Sequence, residues 1–210
     1  MGNIVSHNYR ADHRRRIAQE AAELLYTGQE KEYKQAKFRA AKTLGVHVLP
    51  SNAEVAVELD RIAGEREGET RLERLIQMRR KAIRIMEVLE DFSPILVGSV
   101  WRGTANRNSD IDIVVYAQNP QNIVSALQKN NYIITKNEVQ TITEKGEKRQ
   151  SFHIYVNLPS NNQAEIVVRN LEDIDRRVKC ETYGDAVTGL TIQQLRQVLR
   201  ENPQQKFLPT

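Results

Sequence analysis

A single cysteine, Cys180, stands in a chain of 210 residues. That excludes an internal disulfide and fits a reducing, cytoplasmic setting. Long apolar runs are absent. Ile95–Val97 and Ile113–Tyr116 are only a few residues each, against the roughly 20 that a membrane-spanning helix needs. No membrane is expected among the partners, and no secretory signal pattern is visible. The four histidines, His7, His13, His47 and His153, show no metal-ligand spacing. Cys180 has neither a CxxC partner nor a neighbouring histidine, so nothing marks it as a nucleophile. Internal repeats and low-complexity tracts are also missing. What remains, with 40% hydrophobic and 28% charged residues, is the composition of an ordinary globular protein.

The formal net charge is only +4, but it is unevenly placed. Through Gly45 there are nine Lys and Arg residues against five acids. The basic excess therefore belongs to the N-terminal segment, where an anionic partner is one reading and a solvated helical face the other.

Periodicity divides the chain in two. "DHRRRIAQEAAELLY" and "EKEYKQAKFRAAKTLG" carry apolar residues at helical spacing, the second stopped by Gly45. "LPSNAEVAVELDRIAG" opens with Ser51 and Glu54, the pattern of a capping box, and is expected to stop near Gly64. The charged "EREGE" around Gly68 is the linker candidate, which gives a helical module over 1–68 and a second domain over 69–210. A long helix follows, with Leu72, Leu75, Ile76, Arg79, Ile83, Met86 and Leu89 near one stripe. Beyond Pro94 the period changes to two. "PILVG" and "DIDIVVY" read as strands, and "PQNIVSALQKN" as a helix. "NYIITKNEVQTIT" and "RQSFHIYVNL" read as a hairpin around "EKGEK". "PSNN" is a turn and "AEIVVR" a last strand, followed by helices over "LEDIDRRVK" and "LTIQQLRQVLREN". The fold class is α+β, a mixed sheet flanked by helices and preceded by an all-helical module.

The stretch "ILVGSVWRGTANRNSDIDIVVY" carries the chemistry. Asp110 and Asp112 lie two apart on a strand and so share a face, ~7 Å apart by rise. Ile111 and Ile113 take the opposite face. Two like charges raise each other's pKa unless a cation compensates. A hard cation such as Mg²⁺ or Mn²⁺ takes carboxylate oxygens while keeping positions open for substrate phosphates. Upstream, Gly98 and Ser99 sit at a strand-to-helix turn. Gly98 lets a phosphate approach the backbone and Ser99 adds a hydroxyl donor. Arg102, three residues on, is placed to face the same phosphates.

The whole stretch resembles the DNA polymerase β-like nucleotidyltransferase superfamily. That family's signature is a hydrophobic strand, Gly-Ser, about ten residues, then Asp-x-Asp. The G-S-x-x-R-G and S-D-I-D forms look especially like the minimal nucleotidyltransferases of prokaryotes, a group that includes antitoxins. The resemblance covers roughly residues 70 to 170. It implies a mixed-sheet nucleotidyltransferase core and a third carboxylate on a later strand, which "QAEIVVRN" supplies as Glu165, where the family more often has Asp. By the same resemblance Asp110, Asp112 and Glu165 are the metal ligands and catalytic residues, and Gly98, Ser99 and Arg102 bind the nucleotide. The implied activity is metal-dependent transfer of a nucleoside monophosphate from an NTP, ATP included, to an acceptor such as an RNA end or a protein hydroxyl, releasing pyrophosphate. Two other readings stay open: a non-catalytic, antitoxin-type interaction module, and an RNA-binding protein working through its basic helices. The second of the two helices around "GVHVLPS" carries Glu54, Glu58 and Asp60, which suits a groove-reading helix poorly. His153, Tyr155 and Arg169 lie near the proposed sheet, and Trp101 is expected to pack rather than stack on a base. Nothing in the pattern sets an oligomeric state.

Overall fold

The structure, a computed structural model, describes residues 2–144, 147–159 and 162–209, with side chains from residue 11 on apart from 142–148. The turns expected at "EKGEK" and "PSNN" have their central residues, 145–146 and 160–161, outside this set. The chain forms two compact units. One runs through Arg71 and takes in Lys179–Asp185, and the other is Leu72–Val178 with the chain from Ala186 on.

The first unit is helical. It holds α1 (Gly2–Tyr26), α2 (Tyr33–Leu44) and the beginning of α3 (Asn52–Val88). Small and branched side chains at helical spacing, among them Ile17, Ala21, Ala36, Ala40 and Val55, are fully buried and make its core. Gly45 ends α2 in the left-handed region, as its position in the pattern requires. The capping box at the start of α3 is present. The Glu54 amide donates to Ser51 Oγ at 3.1 Å, and the Ser51 amide donates to Glu54 Oε2 at 2.7 Å. Arg14 also reaches Glu54, at 2.5 Å.

The helix does not stop at Gly64. It continues to Gly68, whose φ of 53° and ψ of −135° break it. The reason is local. Ile62 and Ala63 are buried on one side of Gly64 and Arg61 pairs with Glu65 across it, which together outweigh the ~1 kcal/mol that a helical glycine costs.

In the second unit the sheet has the order β1-β2-β5-β4-β3, formed by β1 (Ile95–Val97), β2 (Ile111–Tyr116), β3 (Ile133–Glu144), β4 (Glu147–Leu158) and β5 (Asn162–Arg169). Only β2 and β5 pair in parallel, so the sheet is mixed. The rest of α3 packs on it through Leu75, Met78, Ala82, Ile85, Met86 and Leu89. The short α4 (Gly98–Arg102), α5 (Pro120–Lys129) and α6 (Ile192–Glu201) complete the layer. Asn119 caps α5, and Thr191 with Gln194 forms a capping box on α6.

The helix expected over "LEDIDRRVK" is replaced by a single 3-10 turn, Leu171–Asp173. Leu171 and Ile174 are exposed there. With no apolar face to bury, a short helix is not stable.

Arg79 occupies the apolar stripe of α3 and is fully buried. Its guanidinium donates to four carbonyls: Val100 at 3.2 Å, Trp101 at 3.0 Å, Pro203 at 2.8 Å and Gln205 at 2.8 Å. These bonds tie α4 and the C-terminal tail to α3. Burial lowers the Arg79 pKa to about 10, so the group stays charged at neutral pH.

Candidate active site

The site is built on one row of residues running across the sheet. Val97 pairs with Asp112, Asp112 with Glu165, Glu165 with Tyr155 and Tyr155 with Lys136. Residues paired across strands project to the same face, about 4.5–5.5 Å apart at Cβ. The two carboxylates of Asp112 and Glu165 therefore lie side by side, while Ile111 and Ile113 are fully buried on the other face. Burial pushes Asp112 up to about 7, with the charges of Glu165 and Asp110 adding to the effect. Asp110 precedes β2 and is exposed. It lines a cleft of about 420 Å³ with Arg107, Ser109, Asn157, Asn162 and Gln163.

Gly98 follows β1 with a φ of +70°. A Cβ there would lie 1.9 Å from Asp112 Oδ2, so only glycine lets this carboxylate rest against the turn. Ser99 is partly exposed in the first turn of α4. Arg102 is the last residue of α4. It is buried, donates through Nη1 to the Phe207 carbonyl at 2.9 Å, and stacks over the Trp101 ring at 4.1 Å. Gly98, Asp112 and Glu165 are thus brought together with Asp110 at the edge, and Arg102 holds the tail. Trp101 is buried in the core.

Three residues of this region carry roles that pattern does not assign. His153 Nδ1 lies 2.6 Å from Glu165 Oε1, and His153 Nε2 lies 2.8 Å from Ser151 Oγ. Both contacts are satisfied when Nδ1–H donates to the carboxylate and Nε2 accepts the serine proton. The His153 bond, opposed by burial and helped by Tyr155, holds Glu165 below the usual carboxylate range. Asn106 shapes the loop before Asp110: its Oδ1 accepts from the Asn108 amide at 2.8 Å, and its own amide donates to Ser109 Oγ at 3.0 Å. Alternation along "SFHIY" puts Ser151 and His153 on one face, but only strand register shows which acid they meet. Among the described residues no three His, Cys, Asp or Glu side chains are gathered closely enough to hold a metal ion.

The family model that matches, over residues 80–172, is "Domain of unknown function (DUF4269)". No curated protein matches. Solved structures that match include Cid1, described by its RNA terminal uridylyl transferase activity, at 15% identity and a TM-score of 0.33, covering 46% of this chain and 30% of that one. Cid1 in complex with the UTP analog UMPNPP matches at 17% and 0.32, covering 45% and 30%. A cytoplasmic RNA terminal U-transferase matches at 15% and 0.28, covering 56% and 34%. The chain spans about a third of the length of these structures. None of the helices among the described residues is long and apolar enough to cross a membrane.

Proposed function

We propose that the protein is a metal-dependent nucleotidyltransferase, moving a nucleoside monophosphate from an NTP to an acceptor hydroxyl with release of pyrophosphate. The observation that carries this reading is the Asp112–Glu165 pairing on adjacent strands, with the Gly98 backbone set against Asp112 Oδ2. Burial, with the charges of Glu165 in the neighbouring register position and of Asp110 two residues away, raises the proton affinity of Asp112. A divalent cation relieves that repulsion, and carboxylate oxygens are the donors that Mg²⁺ and Mn²⁺ prefer. Asp110 and Asp112 are the residues that would hold such an ion, with Glu165 as the third acid, although the three side chains are not gathered into a ready-made site.

A bound cation supplies charge neutralisation for the phosphates. Gly98 lets the Asp112 carboxylate lie against the α4 turn, and Ser99 offers a hydroxyl donor to a phosphate beside it. Glu165, ionised and oriented by His153, is placed to accept a hydrogen bond from the acceptor hydroxyl. Arg102 serves this site by fixing α4 through Trp101 and Phe207.

The test is calorimetric titration with Mn²⁺ and a non-hydrolysable NTP, together with incubation of the protein with each α-labelled NTP, Mg²⁺ or Mn²⁺, and RNA or cell lysate. Binding that vanishes in Asp110→Ala/Asp112→Ala, and label transferred to an acceptor, are the expected results. Unchanged binding in the double variant refutes the site. Binding without transfer to any acceptor favours the interaction-module reading.

A further inference from the structure

A second cleft lies apart from the Asp110 cleft. Its volume is about 510 Å³, within the range of small-ligand sites, about 300–1,000 Å³. Its walls are the middle of α3, the turn from α5 into β3, and the end of β4. Lys81 stands at the join between the two clefts. Its ammonium donates to the Pro159 carbonyl at 3.0 Å and to the side-chain oxygen of Asn162, so its charge is committed there.

One wall is shaped by the backbone. Asn131 follows the end of α5 in the left-handed region, with a φ of 62°, a frequent way for a helix to end. Its amide donates to the Gln128 carbonyl and the Tyr132 amide to the Leu127 carbonyl, both at 3.0 Å. The reversal sets Tyr132 and Ile133 against the cleft. Tyr132 is half-buried, whereas Ile133 is 68% exposed. Leu158 and Pro159 add apolar surface from the end of β4.

Charge in this cleft is sparse and of one sign. Among the described residues that line it none is acidic, and the cations are Lys81 and Arg84. Arg84 is exposed, and among the described residues no carboxylate pairs with it. Its charge acts on the Tyr132 hydroxyl. Glu87, three residues further along α3, acts on the same hydroxyl, but Arg196 holds it at 2.6 Å. One uncommitted guanidinium beside aromatic and aliphatic walls matches one anionic group on a planar apolar body. A guanidinium takes a carboxylate by two parallel hydrogen bonds, and burial of the body against the walls adds the hydrophobic part of the affinity.

We propose that this cleft is a second ligand site, separate from the Asp110 cleft, for a small aromatic carboxylate, with its carboxylate on Arg84 and its ring against Tyr132, Ile133 and Leu158. A phosphate monoester, as a dianion, calls for a second free cation, which Lys81 supplies only by giving up Pro159 and Asn162. An uncharged ligand leaves Arg84 unused. The site needs neither metal nor NTP, so it is independent of the nucleotidyltransferase reading.

The experiment adds naphthoate to the full-length protein in chelator and follows binding by calorimetry. Saturable binding at one site is expected. Arg84 and Ile133 are exposed, so Arg84→Gln and Ile133→Asp leave the core intact, which parental urea midpoints check. Each is expected to weaken naphthoate about tenfold or more, as for the loss of a hydrogen bond to a charged group. Arg107→Gln, in the Asp110 cleft, should bind near the parental affinity. Naphthalene methanol, with the same ring and no charge, should bind the parent about tenfold more weakly than naphthoate and should not distinguish the parent from Arg84→Gln. No saturable binding at millimolar naphthoate overturns the proposal. Equal loss in Arg84→Gln and Arg107→Gln does so too, because it moves the probe to the Asp110 cleft. Naphthyl phosphate binding more tightly than naphthoate overturns the ligand class.

Discussion

His153 Nδ1 meets Glu165 Oε1 at 2.6 Å, across the antiparallel pairing of β4 and β5. The histidine is 11% exposed at its side chain and the glutamate 26%, so the bond is shielded from solvent. It holds the Glu165 pKa down. A depressed carboxylate contributes stability above its unfolded pKa and loses it as pH falls through the folded one.

His153→Ala is therefore expected to cost about 1.5–3 kcal/mol at pH 7, as for a hydrogen bond to a charged group. The gap should narrow as pH falls into the range where Glu165 protonates. His153→Asn, whose amide nitrogen falls near the Nδ1 position, should recover part of the loss. Urea unfolding of the three proteins at neutral and acid pH measures this. Equal loss in the Ala and Asn variants at every pH would reduce His153 to a packing residue.

Gly98 makes the next prediction. Its φ is +70°, and only 1.9 Å would separate an added Cβ from Asp112 Oδ2, so Gly98→Ala must move either the turn or the carboxylate. The expected cost is more than about 1 kcal/mol, from backbone strain alone. Mn²⁺ affinity should fall with it, because the displaced group is the proposed ligand. A variant that unfolds at the parental urea midpoint and binds Mn²⁺ as the parent does would remove Gly98 from the site.

The difference between what pattern reveals and what it hides follows contact distance along the chain. Asp110 and Asp112 are two residues apart in sequence, so period two alone predicts a shared face opposite Ile111 and Ile113, although β2 begins at Ile111 and Asp110 stands just before it. The caps at Ser51 and Thr191 are likewise local, three residues wide. The His153–Glu165 contact depends on the register of β4 against β5, which no residue spacing fixes. Arg102 is three residues from Ser99, so helical spacing aims both at one ligand, yet the carbonyl of Phe207, 105 residues away, engages it. Glycine weakens helices, which makes Gly64 look like a stop, whereas tertiary burial of Ile62 and Ala63 carries the helix through.

Arg79 shows the same principle in the core. A cation on an apolar helical stripe would ordinarily be exposed, but four carbonyls from α4 and the tail close around it. Arg79→Met removes the charge and leaves those acceptors without their donor. Each buried unsatisfied acceptor costs about 1–3 kcal/mol, so a loss of at least about 3 kcal/mol is expected. Proteolysis within the segment after Asn202 should rise as well, since Pro203 and Gln205 lose their anchor. Urea unfolding and limited proteolysis report the two effects, and a variant with parental stability and an equally protected tail contradicts the assignment.

Asp112 supplies the last prediction, in which the sign is opposite to that of Glu165. Its folded pKa, about 7, lies above the ordinary 3.8 because burial and the charges of Glu165 and Asp110 disfavour the anion. Between those values the folded protein holds a proton that the unfolded chain has released. Stability of the metal-free protein therefore falls as pH rises from about 4 to about 7, by about 1.4 kcal/mol for each unit of the shift that solution preserves. Asp112→Asn cannot ionise, so its contribution is flat across that window and the variant should gain on the parent as pH rises. A divalent cation should cancel the effect in the parent alone, because it stabilises the anion. Thermal unfolding of both proteins in chelator and in Mg²⁺, at pH values spanning 4 to 8, gives four curves. Parallel curves for parent and variant in chelator would show that Asp112 ionises freely, and the crowding of acids at the β2–β5 pairing would then lose its argument for a cation.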